Sequence, residues 1–129
     1  MEASNNQEIQ KIQGIDIRKV WGKEVVLYQG KDYTVKKLIF NYGCSSSSHF
    51  HRLKHEHFLV LEGKFILDYF NHKTGEAKKM CLKTEDFVDI PIGCVHKIHC
   101  IEVGTILETS TEDFLNDSYR LDASSSLTN

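Results

Sequence analysis

Gly43-Cys44-Ser45-Ser46-Ser47-Ser48-His49-Phe50-His51-Arg52-Leu53-Lys54-His55-Glu56-His57-Phe58-Leu59-Val60-Leu61-Glu62-Gly63 is the stretch on which the reading of this chain turns. His49 and His51 stand two residues apart, so on a strand both side chains leave the same face and both imidazoles reach one point inside a barrel. Glu56 is the carboxylate nearest to hand. Neutral imidazole nitrogens and a carboxylate oxygen at about 2.0–2.2 Å suit a first-row divalent metal, with water or substrate completing the shell. His57 alternates away from Glu56 and is expected to face solvent or to serve the structure.

Outward from this stretch, runs rich in Val, Ile, Tyr and Phe recur at 25–29, 33–41, 57–62, 64–70, 77–82, 86–90, 95–101 and 104–109, with turn residues between them. Gly43, Gly63, Gly93 and Gly104 mark corners. Asn71-His72-Lys73-Thr74-Gly75-Glu76 has the composition of a hairpin turn, which leaves His72 solvated. Thr111 to Tyr119 is the one candidate for a short helix, with Thr111 as its N-cap and Glu112 and Asp113 at the positive end of its dipole. Eight short strands without a long helix predict an all-β sandwich or barrel, a jelly roll being one solution. Residues 1–13 and the tail 123–129 lack an apolar period and are expected to be flexible and disordered, leaving one domain over 14–122.

The composition agrees with one small domain. The chain has 129 residues, 40% of them hydrophobic, and a net charge of −2. That size supports a single core, and the near-neutral balance argues against nucleic acid or an anionic membrane as a partner. Met1 to Gln13 is polar, without the apolar centre of a signal peptide, and no apolar run approaches the roughly 18 residues of a membrane span. A cytoplasmic location is therefore expected. Cys44, Cys81, Cys94 and Cys100 form no C-x-x-C pair and read as reduced thiols.

A second histidine cluster, His96 with His99, follows Ile90-Pro91-Ile92-Gly93. Together the Gly43 to Gly63 block, with His49, His51 and Glu56 at its fixed spacings, and the Ile90 to His96 block resemble the two signature motifs of the cupin superfamily. That resemblance implies a double-stranded β-helix, a jelly-roll barrel, in which His49, His51, Glu56 and His96 hold one divalent metal ion: Zn, Mn, Fe, Co or Ni. Glu85 stands where the second motif usually begins with Gly, and Cys100 where it usually ends with Asn.

Val20-Trp21-Gly22-Lys23, Tyr33-Thr34-Val35-Lys36, Glu56-His57-Phe58 and the Pro91 block narrow the likeness. Over about residues 20–120 the chain is similar to the type II mannose-6-phosphate isomerase domain, which often follows a guanylyltransferase; 129 residues are too few to hold one. The family commonly has Gln at the position of His49, Arg at that of Lys54 and Pro at that of Tyr42. Its closing Tyr-Gly-Arg is absent here, although Asp117-Ser118-Tyr119-Arg120 resembles its acidic, Arg-containing end.

The resemblance implies an aldose–ketose isomerase acting on a sugar phosphate, with a metal polarising the sugar oxygens and a base moving a proton between adjacent carbons. Lys36, matching the family's lysine after Tyr-x-Val, is the candidate polar group inside the barrel. Arg120 and Lys54 are candidate phosphate contacts, although an isolated lysine such as Lys54 is more often a solvated surface charge. Lys36, His99 and Arg120 are the candidate catalytic residues, with His99 and Glu62 as candidates for the base. A homodimer is the expected assembly. Three other readings remain open: a cupin dioxygenase using the same three-His, one-Glu set, a sugar epimerase, and a non-catalytic module that binds a sugar or effector.

Overall fold

The computed structural model describes residues 8–127. Among the described residues nine strands run in the order β1 (Ile15–Lys19), β2 (Gly22–Gln29), β3 (Thr34–Phe40), β4 (His49–His51), β5 (Glu56–Phe70), β6 (Ala77–Lys83), β7 (Phe87–Ile90), β8 (His96–Ser110) and β9 (Ser118–Arg120). No helix among the described residues is long and apolar enough to cross a membrane. The all-β architecture follows the sequence expectation.

β8 is the spine of a curled antiparallel sheet. It pairs with β5 from Glu56↔Ser110 to Tyr69↔His96 and with β3 from Thr34↔Ser110 to Phe40↔Gly104. β2 and then β1 extend the β3 side, β6 and β7 each pair with part of β5, and β4 lies between β8 and β9.

Four of the predicted runs merge into two long strands, 57–62 with 64–70 and 95–101 with 104–109. Gly63 and Gly104 do not end them; they let them bend against each other. A Cβ on Gly104 would lie 2.1 Å from the Glu62 carbonyl oxygen, and one on Gly63, whose φ is +88°, would lie 2.7 Å from Gly104 Cα. Only glycine tolerates that backbone approach, and the register shifts there as in a bulge. At the neighbouring turn Glu85 takes φ +75°, the left-handed conformation for which the motif's usual Gly is suited.

One expectation fails. Residues 111–117 form no helix, because Asp113 and Asp117 turn into the barrel to meet lysine and backbone N–H groups, and the chain then pairs as β9. Further on, Ser125 exchanges two backbone hydrogen bonds with Ser45, at 2.9 and 3.0 Å. Residues 8–13 are exposed and irregular, and 1–7, 128 and 129 lie outside the described residues.

The core forms the apolar floor of the barrel. Phe40, Phe58, Phe65, Leu82, Ile98 and Ile106 are fully buried, Trp21 stacks on Phe40 at 4.2 Å, and Phe65 meets Phe40 edge-on at 5.4 Å. Each such side chain contributes roughly 1.5–3 kcal/mol. All four cysteines are free, three of them buried.

Candidate metal centre

Strand alternation sends every second residue of β5 and β8 inward, and above the apolar floor the inward positions turn polar. They line a cavity of about 660 Å³ whose walls include His49, His51, Lys36, Lys54, Glu56 and Glu108. His49 and His96 sit opposite each other across β4 and β8, which brings their rings to 4.5 Å; the His49 and His51 rings are 5.0 Å apart. One nitrogen from each of His49, His51 and His96 lies within 4.8 Å of the others.

The opposite ring nitrogens explain this convergence. His49 Nδ1 donates to the Ser47 carbonyl at 2.8 Å, His51 Nδ1 to the Asp117 carbonyl at 3.0 Å, and His96 Nδ1 to the Cys94 carbonyl at 2.9 Å. A carbonyl only accepts, so the proton of each neutral ring sits on Nδ1 and the Nε2 lone pair faces the cavity. Burial, reinforced by the neighbouring His96, pushes His49 down to about 4, which favours its neutral form. Such backbone partners orient and tune metal-binding imidazoles.

Glu56 stands beside two of these rings. Its Oε1 stands 3.3 Å from His51 Nε2 and 3.4 Å from His96 Nε2. Glu56 Oε1 and His96 Nε2 are buried without a hydrogen-bond partner. Three imidazoles with one carboxylate are a donor set for a first-row divalent metal. These residues fit such an ion.

Around the donors lies a charge network that the sequence only partly disclosed. Lys54, instead of lying in solvent, is buried, with its Nζ 3.3 Å from Glu56, 3.2 Å from Glu108 and 3.5 Å from Asp113. Burial would lower its ammonium, but Glu108, Glu56 and Asp113 outweigh this and hold it well above the ordinary lysine value. Lys36 is buried between Glu24, at 3.0 Å, and Asp113. Burial likewise works against its charge, and Glu108 and Glu24 reverse the effect. Burial would also raise Glu56, yet His51, His96 and Lys54 hold it well below the usual carboxylate range. Glu108 responds the other way. Burial and then repulsion from Glu56 raise it to about 7 despite Lys54. Glu24, Glu56, Glu108 and Asp113 thus share the ammonium groups of Lys19, Lys36 and Lys54.

The remaining candidates separate cleanly. Arg120 lines the cavity from exposed β9, paired with His49. His99 points away from it, because it alternates with His96 on β8, and it meets Ser45 Oγ through Nδ1. Glu62 is exposed and bonds Thr105. Neither stands at the proposed centre.

Sequence reasoning missed Glu108 and the role of Asp117. Asp117 is buried, and its carboxylate accepts the backbone N–H groups of Arg52, Leu53 and Lys54 while its carbonyl holds His51. Glu108 had one available signal: it falls on the inward parity of β8 with Ile98 and Ile106, where a carboxylate is out of place unless used.

The fold and the converging histidines define a cupin. Residues 5–118 match the model of the family described as mannose-6-phosphate isomerase C-terminal, and the chain belongs to that family. No curated protein sequence matches it. Among solved structures it is similar to the capsular polysaccharide assembling protein CapF from Staphylococcus aureus, at 23% identity and a TM-score of 0.72, over 85% of this chain and 34% of that one. Oxalate decarboxylase from Bacillus subtilis, a protein with Mn(II) centres, matches at 16% identity and a TM-score of 0.72, over 84% of this chain and 30% of that one. The Lactobacillus farciminis oxalate decarboxylase matches at 16% identity and 0.74, over 90% and 38%. The chain spans about a third of the length of these proteins, and at such identities the likeness is one of fold.

Proposed function

We propose that this chain is a metal-dependent cupin acting on a sugar or sugar phosphate by aldose–ketose isomerisation, with Glu108 as the proton carrier. One observation carries the reading: the buried Glu108 carboxyl, raised to about 7, lines one cavity with Glu56, His49 and His51, and the third converging imidazole, His96, adjoins Glu56. A group that moves a proton on and off carbon works best when its own value lies near the working pH.

His49, His51, Glu56 and His96 would hold the ion, which when bound supplies positive charge against the substrate's carbonyl and hydroxyl oxygens. Glu108 takes the proton from the carbon beside the carbonyl and delivers it to the former carbonyl carbon. The hydroxyl proton passes from one oxygen to the other, so isomerisation is complete with no net gain or loss of electrons. Lys54, bridging Glu56 and Glu108, keeps the base aligned and limits its repulsion from Glu56. Lys36 and Lys54 are already engaged by carboxylates, whereas Arg120, exposed on the cavity wall, is freer to meet a phosphate, as is Arg18 on the same wall.

Mannose 6-phosphate turnover with added Zn²⁺, Mn²⁺ or Co²⁺ tests the reading. Interconversion with fructose 6-phosphate that ceases on chelation is expected. Inactivity across a panel of sugar phosphates would overturn isomerisation and favour a binding module.

A further inference from the structure

We propose that the outer face of the barrel carries a second transition-metal site formed by His55, His57 and Asp89. The alternation that turns Glu56 inward turns its neighbours His55 and His57 outward. Asp89 on β7 is the direct cross-strand partner of His57. His55 Nε2 and His57 Nε2 each lie 2.7 Å from the same oxygen, Asp89 Oδ1, and the three candidate ligand atoms fall within 4.8 Å of one another.

This cluster is independent of the inner centre and is held by its own supports. His55 is fixed by two bonds to Thr111, its N–H reaching Thr111 Oγ1 at 3.0 Å and its carbonyl receiving the Thr111 N–H at 3.1 Å. The His57 ring rests edge-on against Phe87 at 5.0 Å and against the His55 ring at 5.2 Å. No lysine or arginine pairs with Asp89 among the described residues, so its charge is directed at the two imidazoles alone.

Two imidazoles and a carboxylate, with water in the open position, match a four-coordinate divalent ion of the Zn²⁺, Co²⁺ or Ni²⁺ type. Tetrahedral ligation at about 2.0–2.1 Å separates ligand atoms by ~3.4 Å, so the two contacts to Asp89 need open by less than ~1 Å. The side chains are 40% and 54% exposed and have room for that adjustment. Binding would replace the two Nε2 protons with nitrogen–metal bonds and release them to solvent.

Titration of the metal-free, tag-free full chain with Co²⁺, followed by visible absorption and calorimetry, tests the site. Two binding events per chain are expected. Asp89→Asn and His57→Gln should each weaken one event by more than about tenfold, a loss that even the outer partners of metal ligands can produce. His51→Ala should remove the other event and leave this one. Circular dichroism confirms that each variant folds. Should the inner centre prove unable to bind metal, the wild type would show one event, and its loss in Asp89→Asn would still support the outer site. Saturation at one equivalent that Asp89→Asn and His57→Gln leave unchanged, or a second event seen only at millimolar Co²⁺, would overturn it.

Discussion

Two histidine clusters arise from one stretch of nine residues, and the chain sets them to opposite uses. Inside the barrel, His49 and His51 join His96 with their Nδ1 protons committed to backbone carbonyls, so their Nε2 lone pairs converge. Outside, His55 and His57 point Nε2 at a carboxylate, where proton and metal compete for the same position. Ring chemistry is the same in both places. Burial and the partner of the second nitrogen fix the inner rings in place, while the exposed outer rings have room to adjust.

Removing a charge should separate the clusters most sharply. Lys54→Ala strips the buried Glu56 and Glu108 and the partly buried Asp113 of their shared cation and should cost about 3–5 kcal/mol in urea unfolding of the metal-free protein. Asp89→Asn breaks only exposed pairs and should cost under about 1 kcal/mol. Equal costs would erase the contrast.

Glu108→Gln should lower kcat by about 10²- to 10⁴-fold while retaining metal. As a base, Glu108 works deprotonated, so the wild-type pH–rate profile should rise through an acid limb that the variant loses. Asp117→Ala leaves the buried Lys54 N–H and its partly buried neighbours at Arg52 and Leu53 without acceptors and should cost about 1–3 kcal/mol in thermal unfolding. It should also weaken inner metal binding by about 10- to 100-fold, because the His51 Nδ1 partner shifts with it.

The smallest effect is one of pH. The His49 value in the fold, about 4, lies below the 6.5 of an unperturbed histidine. Its contribution to stability is therefore present above pH 6.5 and is lost as the pH falls toward 4. His49→Gln should flatten that part of the metal-free stability curve, as read by urea midpoints between pH 4 and 7.

The convergence of His49, His51 and His96 was legible through strand alternation and the spacing of the two family motifs, constraints that act along the sequence. Glu108 left a fainter trace, since one glutamate on a strand is ordinary until its inward parity is known. His99 shows the same rule in reverse: counting alternation from His96 turns it outward. Lys54 was hidden by its type. A lysine reads as a surface charge unless its three carboxylate partners, brought from β5, β8 and the segment before β9, are seen together. The pairing of Ser125 with Ser45 is made by backbone groups alone, which composition does not record.

Crystals of the tag-free protein grown with Co²⁺ or Zn²⁺ and measured at the metal's absorption edge would test the central claim directly. An anomalous peak bounded by Nε2 of His49, His51 and His96 and by Glu56 Oε1 is the expected result. Absence of a peak there, with those side chains ordered and the metal in excess, would contradict it.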